Sequence, residues 1–320
     1  MRPTGKLHLG HYFGVLKNWL ALQNQHECLF FVADWHALTT EYADPKVIRD
    51  STREVLADWL AIGLDPQKAT IFVQSHVKEH AELHLLLSMI TPLGWLERVP
   101  SFKEMQQELT GKDLSTYGFL GYPLLQAADV ALYDGNKVPV GVDQVPHIEL
   151  AREIVRRFNH LYGETLVEAQ PLLTESPKLL GLDRRKMSKS YNNSIYLSDS
   201  AEEVSKKVLS AITDPARVKR TDPGNPDICI IYDYHKILNT PQAVEEVAQG
   251  CRGATLGCMD DKKKMAALIN DFLDPIRKKR QELLNDPGYL DSVAHQGKVK
   301  AQTIAQQTLT RVQKAMKLYE

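Results

Sequence analysis

The sequence predicts an α/β protein, a doubly wound parallel-sheet domain followed by an all-helical one. Three observations predict it. Two short apolar runs, residues 28–33 and 69–73, are each followed by a stretch of helical periodicity. Both runs are too short for helices and lack the polar alternation of a strand with one wet face, so they read as strands buried on both sides. From Asp199 onward the chain changes to helical patterns separated by Pro- and Gly-containing connections.

Taken in order, residues 11–26 carry Phe13, Leu16, Leu20 and Leu22 at helical spacing. Cys28-Leu29-Phe30-Phe31-Val32-Ala33 then forms a strand that ends at Asp34. Residues 45–62 return to helical periodicity, closed by Gly63 and Pro66. Residues 69–73 form the second strand and residues 78–91 the next helix. This alternation is that of a Rossmann-like parallel sheet. The expected division is a Rossmann-like domain over 1–196, a helical domain over 197–295, and a last helix within 296–320 packing back on the first domain. Asp214-Pro215, Asp222-Pro223-Gly224-Asn225-Pro226 and Asp286-Pro287-Gly288 read as connections, and Lys298 to Tyr319 as one uninterrupted helical pattern.

At 320 residues, with 43% hydrophobic and 25% charged residues, the composition is that of an ordinary globular protein. A net charge of −1 points to neither nucleic acid nor membrane as a bulk partner. No apolar run approaches the ~20 residues a bilayer-spanning helix needs. The N-terminal residues lack a signal-peptide pattern, and four cysteines make no disulfide framework, so a reducing cytoplasmic setting is expected.

Two motifs carry chemistry. Lys186-Met187-Ser188-Lys189-Ser190 places two ammonium groups three residues apart with hydroxyls beside them. As an isolated basic pentapeptide it would be a solvated turn; as a unit it suits the charge that builds on phosphates during phosphoryl chemistry. His8-Leu9-Gly10-His11, after Pro3-Thr4-Gly5, sets glycine at the start of a helix, where backbone can approach an anion. Alone, the two histidines would be ordinary surface or core residues. Together the pair resembles the HIGH and KMSKS signatures that bind ATP in class I aminoacyl-tRNA synthetases.

Five further stretches resemble the tryptophanyl/tyrosyl subgroup of that class: Arg2-Pro3-Thr4-Gly5 through His11, residues 34–39, residues 72–76, residues 122–129 and residues 138–144. The resemblance implies an ATP-dependent ligase that forms an aminoacyl-adenylate and transfers it to tRNA, with Mg2+ accompanying ATP. It implies that Lys186, Lys189 and Ser190 hold the triphosphate and that Lys186, Lys189 and His11 act in catalysis. Arg2, Pro3, Thr4, His8, Gly10, Gly141, Val142, Asp143, Leu179, Met187 and Ser188 complete the ATP site. Asp129, Tyr122, Gln126, His36, Val138, Val140 and Gln144 line the amino-acid pocket.

Tyr122, Gln126 and Asp129 share one helix face by spacing. Asp129 can accept a hydrogen bond from an indole N–H or a phenol O–H, and a buried carboxylate needs such a partner. Gln126 is a tyrosyl feature. Ala128, the Asp34–Thr40 stretch and the Val138/Val140 wall favour the tryptophanyl side, so tRNA(Trp) and L-tryptophan are the expected partners. The tyrosyl enzyme remains the nearest alternative. A paralogue that binds RNA or amino acid without aminoacylating is a further one.

The family also implies a homodimer through the region of residues 83–105, and anticodon contacts from the helical domain, with Lys262-Lys263-Lys264 and Arg277-Lys278-Lys279-Arg280 on tRNA phosphates. Two departures stand out. In the family a short strand precedes Arg2-Pro3-Thr4-Gly5, so a sheet lacking its first strand is expected here. Some tryptophanyl enzymes hold a [4Fe–4S] cluster on four cysteines. Here Cys229, Cys251 and Cys258 match three of those positions and Asp261 stands at the fourth. An intact cluster is not expected from that set. Zinc is the alternative, and three free thiols in a vestigial site the plain reading.

Overall fold

The computed structural model describes residues 1–100, 102, 105, 111–173 and 179–318, the side chain of Ser190 excepted. A first helix, α1, starts at Leu9–His11, widens into a π-turn over Tyr12–Leu16 and continues through Lys17–Leu22. β1 (Cys28–Val32), α2 (Asp34–Glu41), α3 (Lys46–Ala61), β2 (Ala69–Val73) and α4 (Glu79–Ser88) follow in the expected alternation. α5 (Tyr122–Ala131), β3 (Lys137–Val140), α6 (Val145–Tyr162) and β4 (Gln170–Leu173) complete the α/β part. The remainder is helical: α7 (Ala201–Leu209), α8 (Ile230–Leu238), α9 (Pro241–Arg252), α10 (Cys258–Asn285) and α11 (Pro287–Ala315).

The expected parallel sheet is present as two separate pairs. β1 pairs with β2 in register Cys28↔Ala69 to Val32↔Val73, and β3 with β4 from Lys137↔Gln170 to Val140↔Leu173. On the free edge of β1, the Met1 amino group donates to Phe31 O (2.7 Å) and Ala33 N–H donates to Met1 O (2.8 Å).

Sequence fixes the helix ends in physical terms. α3 buries Ile48, Ser51, Val55, Asp58 and Trp59 on one face and stops at Gly63, whose φ of +107° is costly for any residue with a Cβ. Trp59, fully buried, meets Trp19 edge-on at 5.3 Å, and Trp19 stacks on Phe30 at 4.4 Å. Burying a large apolar side chain of this kind is worth roughly 2–3 kcal/mol.

α11 joins the two cores. Leu290, Val293 and Ala294 enter the core shared by α1, α3, β1 and the helical region, whereas Ala301, Ala305, Leu309 and Val312 enter the core under α4, α5 and α6. Between them Gly297 crosses β2, where a Cβ would lie 1.8 Å from Ile71 O. The helix begins eleven residues before the expected Lys298, because Asp286 caps it by accepting from Tyr289 N–H and Pro287 takes its first position. Asp286-Pro287-Gly288 is thus the expected connection, reduced to Asp286 between α10 and α11, and also the start of α11.

Candidate active site

The two motifs, far apart in sequence, meet in space. Residues 7–9 are stitched to 195–197, just beyond the lysine loop: Leu9 N–H donates to Ile195 O and Leu197 N–H to Leu7 O, both at 2.9 Å. Gly10 N–H points at Met187 Sδ, 3.4 Å away, and a Cβ on Gly10 would stand 3.0 Å from the His8 ring. Glycine is needed for that approach. On the preceding turn, Gly5 has φ +113°, and the Lys189 ammonium lies 3.4 Å from where its Cβ would be. The Arg2–Gly5 turn, the histidine motif and the lysine loop thus share one wall.

The electrostatics of that wall favour an anion. Burial, with the Arg2 charge adding to it, lowers Lys189 to about 8 against the pull of Asp58 and Glu41. Burial and the Lys189 charge lower His8 to about 4, and burial, His8 and Lys189 hold His11 well below its ordinary value. Both imidazoles are therefore neutral near pH 7. They stack 3.7 Å apart, with His8 N–H donating to His11 Nδ1 at 3.1 Å. Lys186 is exposed, Met187 buried, and Pro3 buried beneath the turn, with Thr4 half-buried and Arg2 in solvent. The side chain of Ser190 lies outside the described residues.

Asn193, which the sequence reading did not single out, pins the lysine loop. Its amide donates to Asp183 Oδ1 (2.7 Å) and Lys186 O (3.1 Å), and its Oδ1 accepts from Ser188 N–H (2.9 Å). Asn193 is 3% exposed and packs so closely on Gly181 that no Cβ fits there. A glycine and an asparagine flanking the motif were the available signal. Leu179 is buried at the entry to this segment.

The amino-acid pocket residues lie on α2, α5, β3 and the turn after it. Tyr122, Gln126 and Asp129 all fall on α5, with Tyr122 and Asp129 buried and Gln126 half-buried. Tyr122 faces the ring of His147, 5.7 Å away, and burial lowers His147 to about 4. Asp129 already has protein partners: Gln74 Nε2 and His80 Nδ1 each bond Oδ1 at 2.7 Å, and His36 Nε2 bonds Oδ2 at 2.7 Å. A ligand is therefore not the sole partner of this carboxylate: three side chains, from β2's end, α4 and α2, hold it. Burial pushes Asp129 up, but His36 and His80 outweigh it and hold the group below the usual carboxylate range. Val138 and Val140 are half-buried on β3. Past it, Asp143 folds over Gly141 at the exposed Val142 turn, with Gln144 donating to Asp143 at 3.0 Å.

The model of the family described as tRNA synthetases class I (W and Y) matches residues 1–274. The chain belongs to that family. A tryptophan–tRNA ligase of Thermotoga maritima is 51% identical over 320 residues, covering 99% of this chain and 98% of that protein. One of Aquifex aeolicus is 44% identical over 388 residues, at 99% and 98% coverage. Among solved structures, tryptophanyl-tRNA synthetase from Campylobacter jejuni complexed with ADP and tryptophan superposes with TM-score 0.91 at 33% identity, covering 99% of this chain and 98% of its own.

Against that class I background, two other groups are placed differently from the sequence reading. Lys262 is buried and donates to Leu209 O at 3.0 Å, and Arg280 Nε donates to Asp58 Oδ1 at 2.7 Å and also pairs with Glu54. Both stabilise the fold instead of waiting for phosphate. At the cysteine site, the Asp261 carboxylate is held by His235 Nε2 at 3.0 Å, and the Arg217 guanidinium reaches Cys258 Sγ at 3.7 Å. Burial raises the thiols of Cys229 and Cys251. Among the described residues no group of three or more His, Cys, Asp or Glu side chains is disposed to hold a metal ion. With its fourth position engaged and a cation on one sulfur, the set does not fit an iron–sulfur cluster.

Proposed function

We propose that this chain activates L-tryptophan with Mg-ATP and transfers it to tRNA(Trp). The carrying observation is the meeting of the two signatures at Gly10–Met187 and Gly5–Lys189, which forms one cationic wall beside a helix start. The tryptophan carboxylate attacks the α-phosphorus in line; a carboxyl O–P bond forms, the bond to the β-phosphate oxygen breaks, and pyrophosphate leaves. The terminal ribose hydroxyl of tRNA then attacks the adenylate carbonyl and expels AMP. Lys186 and Lys189 neutralise charge on the departing pyrophosphate, and neutral His8 and His11 pack under the nucleotide. Ser188, Ser190 and the Arg2–Thr4 turn line the phosphates, while Gly141, Val142 and Asp143 meet the ribose and Leu179 the adenine edge.

Tyr122, Gln126, Asp129, His36, Val138, Val140 and Gln144 take the amino acid. The tryptophan–tRNA ligase names of the full-length relatives support tryptophan over tyrosine.

The same reading divides the chain into a catalytic unit over 1–196, an anticodon-binding unit over 197–295 and a closing helix, with exposed Lys263, Lys264 and Lys278 on tRNA phosphates. It places the protein in the cytoplasm; no helix among the described residues is long and apolar enough to cross a membrane. It pairs two copies through the exposed row Leu85 (53%), Met89 (67%) and Leu93 (60%). Residues 101, 103 and 104 of that stretch lie outside the described residues. Charging of a tRNA(Trp) transcript with labelled tryptophan tests the reaction. Stable charging supports it, and none with pyrophosphate exchange intact would confine the chain to adenylate formation.

A further inference from the structure

Asp129 is fixed by a chain of side chains that runs away from the pocket. A carboxylate offers about four acceptor positions. On Oδ1 two are taken, by Gln74 Nε2 and His80 Nδ1; on Oδ2 one is taken, by His36 Nε2. Among the described residues no hydrogen bond takes the remaining position on Oδ2.

His80 is fully buried between Phe31 (5.6 Å) and Phe72 (6.2 Å), and both its ring nitrogens are engaged. An ionised carboxylate only accepts, so Nδ1 carries the proton. In the neutral ring Nε2 then has a lone pair, and the Tyr133 hydroxyl, 2.6 Å away, is placed to donate to it. Burial, with the charges of Asp129 and Glu79, raises the Tyr133 phenol, which keeps its proton. The order Tyr133 O–H to His80 Nε2, His80 Nδ1–H to Asp129 Oδ1 runs in one direction and locks the imidazole tautomer.

We infer that His80 and Tyr133 are positioning residues for amino-acid selectivity: they hold Asp129 so that the remaining acceptor position on Oδ2 faces a ring N–H of the bound amino acid. Neither residue touches the ligand. The inference rests on the tryptophan reading above and deepens it. A pocket whose buried carboxylate keeps one acceptor in reserve discriminates strongly against an isostere without the donor, because that acceptor is then left unpaired. Gln74 and His36 hold the carboxylate from two other elements, so loss of the Tyr133–His80 arm frees it to swing without removing it.

The test uses ATP–pyrophosphate exchange with tryptophan and with 3-(3-benzothienyl)alanine, in which sulfur replaces the indole N–H. For Tyr133→Phe, the KM for tryptophan is expected to rise roughly tenfold, with the KM for ATP within about twofold of the parent. The preference for tryptophan over the sulfur isostere should fall by about the same factor. His80→Leu should lose more, whereas His80→Asn, whose amide N–H stands where Nδ1–H does, should recover most of the preference. Thermal melts identify any variant that fails to fold, and Tyr133→Phe, which deletes one oxygen, then carries the test. Unchanged isostere preference in Tyr133→Phe, or parallel rises in both KM values, overturns the inference. Absence of tryptophan-dependent exchange in the parent overturns the tryptophan reading and this inference together, whereas normal parent exchange with indifferent variants overturns this inference alone.

Discussion

Replacing Arg280 by alanine should destabilise the whole chain and disturb the ATP site at a distance. Arg280 stands on α10, its side chain 12% exposed, and donates to Asp58 on α3, whose side chain is 2% exposed. Asp58 also accepts from the backbone N–H of Leu7, the residue before the histidine motif. Without Arg280 the Asp58 carboxylate keeps the Leu7 hydrogen bond and only the charges of Lys189 and Lys6. Burial already pushes it up to about 7, so it can take a proton, and the loss is held to about 2–3 kcal/mol. Glu54 is 35% exposed, so its lost pairing adds at most about 1 kcal/mol. Urea unfolding followed by circular dichroism measures the loss. Asp58→Asn retains an oxygen for Leu7 while removing the charge, so the double variant should be milder than the sum of the singles by about 2–3 kcal/mol. A single-variant loss below about 1 kcal/mol, or strict additivity, would refute the argument that this is a buried pair linking helical and catalytic parts. Because Leu7 leads directly into His8, the KM for ATP should also rise in Arg280→Ala.

Three other outcomes follow from named contacts. Lys189, lowered to about 8, is cationic below that pH and loses its charge above it; kcat/KM for ATP should therefore fall above about pH 8. Lys189→Arg should push that limb beyond the measurable range, and a limb that stays in place would assign it to another group. Asn193→Ala removes the bonds that tie Lys186 O and Ser188 N–H to residue 193 and should lower kcat at least about tenfold with little change in tryptophan binding, read by exchange kinetics and equilibrium titration. Gly297→Ala forces a Cβ against Ile71 O and should cost about 3 kcal/mol by denaturation, since backbone of β2 cannot yield as a side chain would.

Much of this was legible in the sequence because it is local. Strands 28–32 and 69–73 are short apolar runs, and the two signatures keep their residue order whatever surrounds them. What escaped depends on distant partners or on helical phase. His80 sits in Lys78-Glu79-His80-Ala81-Glu82, which reads as a wet helix start, yet the helix turns His80 inward with Leu83 and Leu87 while Glu79 is taken by Gln302. Lys262 and Arg280 lie in basic runs typical of a solvated face. Their phase aligns them with Met265, Ile269, Leu273 and Ile276, the buried side of α10, so their charges meet a carbonyl and a carboxylate inside the protein. The partners of Asp129 come from three elements, and no spacing rule joins residues 36, 74, 80 and 129.

The central claim, that the joined signatures serve tryptophan activation, is tested most directly by ATP–pyrophosphate exchange with tryptophan and with tyrosine as separate substrates. The account predicts exchange with tryptophan that exceeds tyrosine by at least about 10³-fold in kcat/KM and collapses in Lys189→Ala. Exchange driven equally well by tyrosine, or tryptophan-dependent exchange untouched by the loss of Lys189, would contradict it.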